Sequence, residues 1–358
     1  MARSGAKLSG KRLLVCGGCG FMGSNFIHRI LERIPDARVV NLDALTYAGN
    51  PANVRGLDAR RYRFVKGNIA NTPLMRALMR EADIVVNFAA ETHVDRSIHE
   101  SSKEFVMTNV VGVHSLLEAL LASPNIRKMV HISTDEVWGD LPLRSKSRFV
   151  EESEFRPNSP YAASKASGDL LIRSYMRTYG APVIVTHSVN NYGPRQYPEK
   201  LIPFFILRAL KDEPLPLYGT GENMRDWLHV NDHSDAIILV LESGNAGEIY
   251  NISQQQEHSN KYIAKKILRI LGKPLSLITC VEDRPGHDMK YAVDSSKLRS
   301  LGWRPRRSLK EDLPEVIQWF REHLPLGVSS ASNMHLAYPL VMKMGKSGFA
   351  KQKGRYLS

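Results

Sequence analysis

Tyr161 and Lys165 stand four residues apart in Tyr-Ala-Ala-Ser-Lys, a spacing that puts a phenol and an ammonium on one face of a helix. A cation beside a phenol favours the phenolate, which suits Tyr161 to take a hydroxyl proton near neutrality. The pattern is short and common by chance, so its weight comes from what precedes it. Ser133-Thr134-Asp135-Glu136 closes an apolar run that reads as a strand. Two adjacent acids at a strand end are poor structural choices, because buried carboxylates need partners and exposed ones add little. A working acid and base accounts better for Asp135 and Glu136, with Thr134 beside them.

A second cluster binds rather than reacts. Gly17-Gly18-Cys19-Gly20-Phe21-Met22-Gly23 satisfies G-x-x-G-x-x-G at 17, 20 and 23 and G-x-G-x-x-G at 18, 20 and 23. Between a strand and a helix, such a loop lets backbone amides approach a pyrophosphate, and the helix N-terminus offers the anion free N–H groups. Asp43 lies 20 residues after Gly23 at the end of the next apolar run. A carboxylate there accepts from both ribose hydroxyls and repels a 2′-phosphate, so NAD is the expected cofactor. Asn68-Ile69 and Ala89-Ala90-Glu91-Thr92-His93 follow later strands and are expected to line the same cleft.

The segments that must position these residues alternate. Strands are expected at 12–16, 38–42, 63–66, 84–88, 128–132 and 183–187, with helices around 22–33, 73–80, 104–121 and 161–179. This is the pattern of βαβ units and predicts an α/β fold, a doubly wound Rossmann-type parallel sheet. From about residue 190 the alternation breaks at Pro194, Pro198, Pro203, Pro214 and Pro216, with helices at 230–241 and 260–271. Residues 1–189 are expected to form an NAD-binding domain to which 230–250 return. Residues 190–326 would form a smaller, discontinuous substrate lobe ending near His323. Residues 327–358 would be a basic tail, with 335–344 as a short docked element.

Composition narrows the partners. Of the formal +13, Arg3, Lys7, Lys11 and Arg12 lie at the start, and Lys343, Lys346, Lys351, Lys353 and Arg355 lie in a tail without acids. The body keeps only a modest excess, enough for a basic pocket around a phosphorylated ligand, and a nucleic-acid partner is not expected. No apolar run approaches the roughly 20 residues of a membrane span, and no apolar stretch of signal-peptide type follows the N-terminus, so a cytoplasmic protein without membrane insertion is expected. Three cysteines make no disulfide framework, and Cys16-x-x-Cys19 has no second Cys/His pair nearby, so no metal is expected.

Ser-Thr-Asp-Glu-Val-Trp-Gly at 133–139 resembles the signature of the dTDP-glucose 4,6-dehydratases, a branch of the extended short-chain dehydrogenases. So do the blocks at 43–50, 90–98, 190–194, 198–203 and 283–288, and together they span roughly residues 11 to 323. The resemblance implies oxidation of a nucleotide sugar at C4 by Tyr161, Lys165 and Thr134, removal of the C5 proton by Glu136, protonation of the departing 6-hydroxyl by Asp135, and hydride return to C6. It implies cofactor contacts from Gly17, Gly20, Phe21, Met22, Gly23, Asp43, Thr46, Asn68, Ile69, Ala89, Ala90, Thr92, Thr108, Tyr161, Lys165 and Asn191. Substrate contacts are implied for His93, Thr134, Asn190, Lys200, Leu201, Pro216, Tyr218, Arg225, Asn251, Arg284 and His287, of which Arg225 can grip phosphate oxygens in bidentate fashion. A homodimer is implied as well.

Three positions depart from the family pattern. Trp138 stands for the usual tyrosine, Asn68 for an aspartate, and Ser253-Gln254 for Gly-Gly after Asn251-Ile252. The last lies where the nucleotide is expected to be recognised. UDP-glucose or UDP-N-acetylglucosamine is therefore an alternative donor, and a non-catalytic nucleotide-sugar-binding regulator is the alternative of a different class. His28, His99 and His114 lack such context and are expected to be structural.

Overall fold

The computed structural model describes residues 7–323, so the expected basic tail and the element at 335–344 lie outside the described residues. β1 (Arg12–Cys16) is buried from Leu13 onward, as a strand covered on both faces must be. It is followed by α1 (Phe21–Arg33), β2 (Arg38–Asp43), β3 (Tyr62–Lys66), α2 (Thr72–Arg80), β4 (Ile84–Asn87), α3 (Val94–His99), α4 (Lys103–Val106), α5 (Val113–Leu121), β5 (Lys128–Thr134), α6 (Pro160–Tyr179) and β6 (Val183–Ser188). The rest comprises β7 (Asn190–Tyr192), α7 (Leu201–Leu210), β8 (Leu215–Tyr218), β9 (Met224–His229), α8 (Val230–Ser243), β10 (Ile249–Ile252), β11 (Glu257–Ser259), α9 (Asn260–Leu271), β12 (Ile278–Val281), α10 (Ser296–Ser300) and α11 (Leu309–His323).

Seven strands form one sheet in the order β10-β6-β5-β4-β1-β2-β3, every neighbouring pair parallel. The order reverses direction at β1, where a doubly wound sheet opens a crevice beyond its strand carboxyl ends. Alternate residues of β1 serve the two faces: Leu13 and Val15 pack with Phe26 and Ile237, Leu14 and Cys16 with Leu116 and Met75. A third core, built around Phe205, Trp227, Ile263 and Leu313, belongs to the later segments.

The expected strands and helices are present with ends moved by at most two residues, and two differences matter. The helix expected at 104–121 contains a π-helical turn, Met107–Gly112, between α4 and α5. Such turns shift the helical register by a residue and cluster at functional sites. This one presents Thr108 to the crevice and turns Asn109 inward, where its amide exchanges hydrogen bonds with both backbone groups of Glu91 (3.0 Å each) and donates to Ser164 Oγ (2.9 Å). By length and composition Lys103–Leu121 suffices to cross a membrane, yet half of it is buried within the fold, packed on α2 and α6.

The second difference is the extent of the return. α8 docks on α1 through Asp235, which accepts from Arg29 (2.7 and 2.9 Å) and Arg33 (2.8 Å). β10 then adds a seventh strand beside β6, carrying Asn251 into the large sheet. Val293, Leu298 and Trp303 also pack into the first core.

Candidate active site

The glycine loop is built by contact as well as by turn. Gly17 has φ +78°, and a Cβ on it would stand 2.6 Å from the Ala89 amide nitrogen, while one on Gly23 would stand 2.3 Å from the Gly17 oxygen. Gly20, by contrast, would meet only the Gly17 oxygen at 3.4 Å, so its bareness leaves room for a ligand. Asn41, a polar residue within β2, accepts from the Gly18 amide (3.0 Å) and braces the loop from below. The first turn of α1 has neither a side-chain cap nor an acid, which leaves its N–H groups for an anion.

Asp43 closes the crevice at the end of β2. Its two oxygens accept from the Cys19 (2.8 Å) and Leu45 (2.8 Å) amides, so the carboxylate is fixed before any ribose arrives. Burial raises its pKa, and the two amide donors oppose that rise. The neighbouring thiols are held protonated: burial pushes Cys19 up to about 12 and Cys16 higher still. The described residues contain no cluster of potential metal ligands.

All the expected cofactor contacts except Lys165 line one cleft of about 270 Å³, running from Gly17 past Asn68 and Thr108 to Tyr161 and Asn191. The uncapped helix end, the open side of Gly20 and the anchored Asp43 fit a dinucleotide. Asn68 spends its carbonyl oxygen on the Ala70 amide (2.8 Å). Asn191 donates to Ser188 Oγ and Val189 O and keeps a buried carbonyl oxygen without a hydrogen-bond partner among the described residues.

The acid pair sits where this cleft meets a second one of about 140 Å³; Glu136, Thr92, Asn190, Glu199 and Lys200 line both. Thr134 ends β5, caps the 3-10 turn Asp135–Trp138 by accepting from the Glu136 amide (3.3 Å), and donates to Asp135 Oδ1 (3.3 Å). Burial, followed by the Glu136 charge, pushes Asp135 well above the usual carboxylate range. Burial raises Glu136 too, but Arg284 and Arg225 pull it back down. Both acids are thus raised, Asp135 more strongly, while the facing arginines favour a charge on Glu136.

Tyr161 lies in the first turn of α6, which Ser159 caps by accepting from the Ala162 amide (3.1 Å) behind Pro160. Burial and then Glu136 raise its pKa, while the neighbouring Thr134 opposes that rise. Lys165 points beneath the cleft and donates to Ile132 O (2.8 Å).

The second cleft gathers His93, Leu201, Tyr218, Arg225, Arg284 and His287 as expected. Arg225 stacks 4.1 Å over the Tyr291 ring and donates to Asp288 O (2.8 Å). Arg284 pairs with Asp95 (3.0 Å) and retains a buried Nε–H without a hydrogen-bond partner among the described residues. Burial lowers His287 to about 4 and His93 to about 3, so both are neutral. His93 uses Nδ1 to cap α3, accepting from the Arg96 amide (3.1 Å).

Two expected substrate contacts are not brought here. Pro216 is buried within β8, away from both clefts. Asn251 is fully buried in β10 because the returning strand carries it into the sheet. The departures are likewise absorbed by packing: Ser253 donates to Asp226 (2.6 Å), Gln254 to Arg307 O (3.0 Å), and Trp138 lies 4.5 Å from the His187 ring. Sequence reasoning missed Glu199, whose carboxyl burial pushes up to about 7 beside Lys200, and Tyr47, which donates to it (3.0 Å). An acid inside the matching block at 198–203 was the available signal.

The family model described as GDP-mannose 4,6 dehydratase matches residues 14–316. The chain is 46% identical over 309 residues to the low-salt glycan biosynthesis protein Agl12 of Haloferax volcanii, covering 86% of this chain and 98% of that one. It is 46% identical over 318 residues to a dTDP-glucose 4,6-dehydratase of Streptomyces niveus, covering 87% and 93%. The structure of DesIV, a dTDP-glucose 4,6-dehydratase of Streptomyces venezuelae solved with NAD bound, is similar with a TM-score of 0.84 at 45% identity, covering 88% and 98%.

Asp43→Ala removes the acceptor for a ribose and for two loop amides. It should weaken NAD binding by about 10- to 100-fold, the scale of a charged hydrogen bond, in a calorimetric titration. An unchanged Kd would place the ribose elsewhere.

Proposed function

We propose a reaction for a chain that belongs to the GDP-mannose 4,6 dehydratase family: it is an NAD-dependent hydro-lyase that converts dTDP-glucose to dTDP-4-keto-6-deoxyglucose. The dTDP-glucose 4,6-dehydratases among its relatives support that substrate. The observation that carries the chemistry is the unequal surroundings of the two acids: burial and the Glu136 charge hold Asp135 well above the carboxylate range, which suits it as the acid, while Arg284 and Arg225 face Glu136 and favour its charge, which suits it as the base.

Tyr161, with Thr134 beside it and the Lys165 ammonium one turn along α6 favouring its phenolate, takes the proton of the sugar 4-hydroxyl. The bound dinucleotide supplies the acceptor for the C4 hydride and later its donor to C6. A ketone at C4 acidifies the C5 proton, which Glu136 removes from the mouth of the second cleft. Asp135, kept protonated by burial, gives its proton to the 6-hydroxyl, which departs as water. Glu136 then returns a proton to C5 as the hydride reaches C6. Arg225 and the unpartnered Nε–H of Arg284 hold the pyrophosphate. In this reading the large sheet carries the cofactor, and the segments bearing Lys200, Tyr218, Arg225 and Arg284 carry the nucleotide sugar.

The working form is a homodimer in this proposal, and the cytoplasm its setting, in keeping with three unpaired cysteines. Support for the dimer comes from Val106, Met107, Val111 and Leu121 on the α4–α5 helix and Leu170 and Tyr179 on α6, all large apolar side chains left exposed on adjoining helices.

Glu136→Gln cannot accept the C5 proton. Product formation should fall by about 100-fold or more while dTDP-glucose still reduces the bound cofactor; undiminished product would overturn the assignment of the base. Faster turnover of UDP-glucose or UDP-N-acetylglucosamine in the same assay would overturn the nucleotide. Leu170→Glu, at an exposed site, should convert dimer to monomer in light scattering, and a dimer that persists would remove this face from the interface.

A further inference from the structure

Asp169 is buried one helical turn beyond Lys165 on α6, and the reaction above gives it no role. An ionised carboxylate in that position needs compensation. Its Oδ2 accepts from Ser133 Oγ (2.6 Å) and from His187 Nε2 (3.0 Å), while Oδ1 has no hydrogen bond and lies 3.8 Å from His131 Nε2. These donors reach it from β5 and β6, beneath the acid pair.

The tautomer of His131 follows from its other neighbour. Asn87 accepts from the Ala89 amide through Oδ1 (3.1 Å), which turns its Nδ2 donor to His131 Nδ1 (3.0 Å). Nδ1 is then the acceptor, and the network assigns the ring proton to Nε2. That edge faces Asp169 Oδ1 and cannot accept from the Lys165 ammonium, 3.3 Å away. Burial lowers His131 to about 3, so the ring is a neutral spacer. The groups facing Lys165 are thus Asp169 and Tyr161 on its own helix and neutral His131 on β5, with His187 on β6 beyond Asp169. Burial lowers Lys165 to about 8, and the Asp169 charge acts against that fall.

We infer that Asp169 is a positioning residue for the oxidation step: clamped by Ser133 and His187, it is the buried counter-charge that keeps Lys165 protonated and its ammonium fixed one turn from Tyr161. This rests on the role given to Lys165 in the proposed reaction, and it adds a group that touches neither sugar nor cofactor. Its effect has a sign. The ammonium is lost as pH rises through the Lys165 pKa, so removing the carboxylate brings that loss to lower pH.

The test uses full-length, NAD-loaded protein carrying Glu136→Gln, in which oxidation is read alone as reduced nicotinamide forms on adding dTDP-glucose. Asp169→Asn should move the basic limb of this rate down by on the order of one pH unit, a tenfold loss of protonated lysine at a given pH, and Asp169→Glu should restore it. A basic limb that stays in place in Asp169→Asn protein retaining NAD overturns the inference. Thermal midpoints of Asp169→Asn, Lys165→Met and their double variant supply a second arm that requires no turnover. Asp169→Asn should destabilise by stranding an ammonium, and Lys165→Met should recover most of that loss; additive losses overturn the pairing. If dTDP-glucose reduces no cofactor even with Asp169 intact, the reaction itself is refuted, and the stability cycle still decides the pair.

Discussion

Placing a buried Asp135 and a half-buried Glu136 side by side at the end of β5 is costly unless one is protonated and the other is faced by cations, and the remainder of the site can be read as meeting that condition. Thr134 occupies the near side of Asp135. Arg225 and Arg284 arrive from the later segments and lower the cost of a charge on Glu136. Their own positions are fixed by Tyr291, the Asp288 carbonyl and Asp95. The cations that would bind a pyrophosphate are therefore the same ones that favour a charge on Glu136, which links substrate binding to catalytic poise.

Much of this was legible in the sequence because it is local. A strand, a glycine loop and a helix in succession, an acid at the next strand end, and Tyr-x-x-x-Lys on one helix each announce themselves within a few residues. Less legible were features set by chain reversal. Asn251 is expected beside the ligand, yet β10 carries it into the sheet, and the spacing of Lys165 from Tyr161 does not show that its ammonium is anchored on Ile132 O. Periodicity cannot show a π-helical turn, since one extra residue leaves the apolar pattern almost intact, yet that turn aims Thr108 and Asn109 in different directions.

Polar residues within otherwise apolar elements were the weakest signals and the most informative ones. Asn41, Asn109 and Ser133 lie in a strand, a helix and a strand end, and each hydrogen-bonds to a group far away in sequence. A buried polar side chain is costly without such a partner, so these residues mark where the scaffold is rigid rather than where the chemistry occurs. The departure at Ser253-Gln254 lies outside both clefts, with Ser253 bonded to Asp226 and the Gln254 amide nitrogen to Arg307 O.

The central claim is that a single hydride is taken from C4 and returned to C6 of one sugar. A mixture of dTDP-glucose deuterated at C4 and dTDP-glucose labelled with carbon-13 at C6 tests it directly by mass spectrometry of the product. Water should be lost, and deuterium should appear at C6 only in molecules lacking carbon-13. Deuterium washed into solvent, kept at C4 or shared between the two populations would contradict the account.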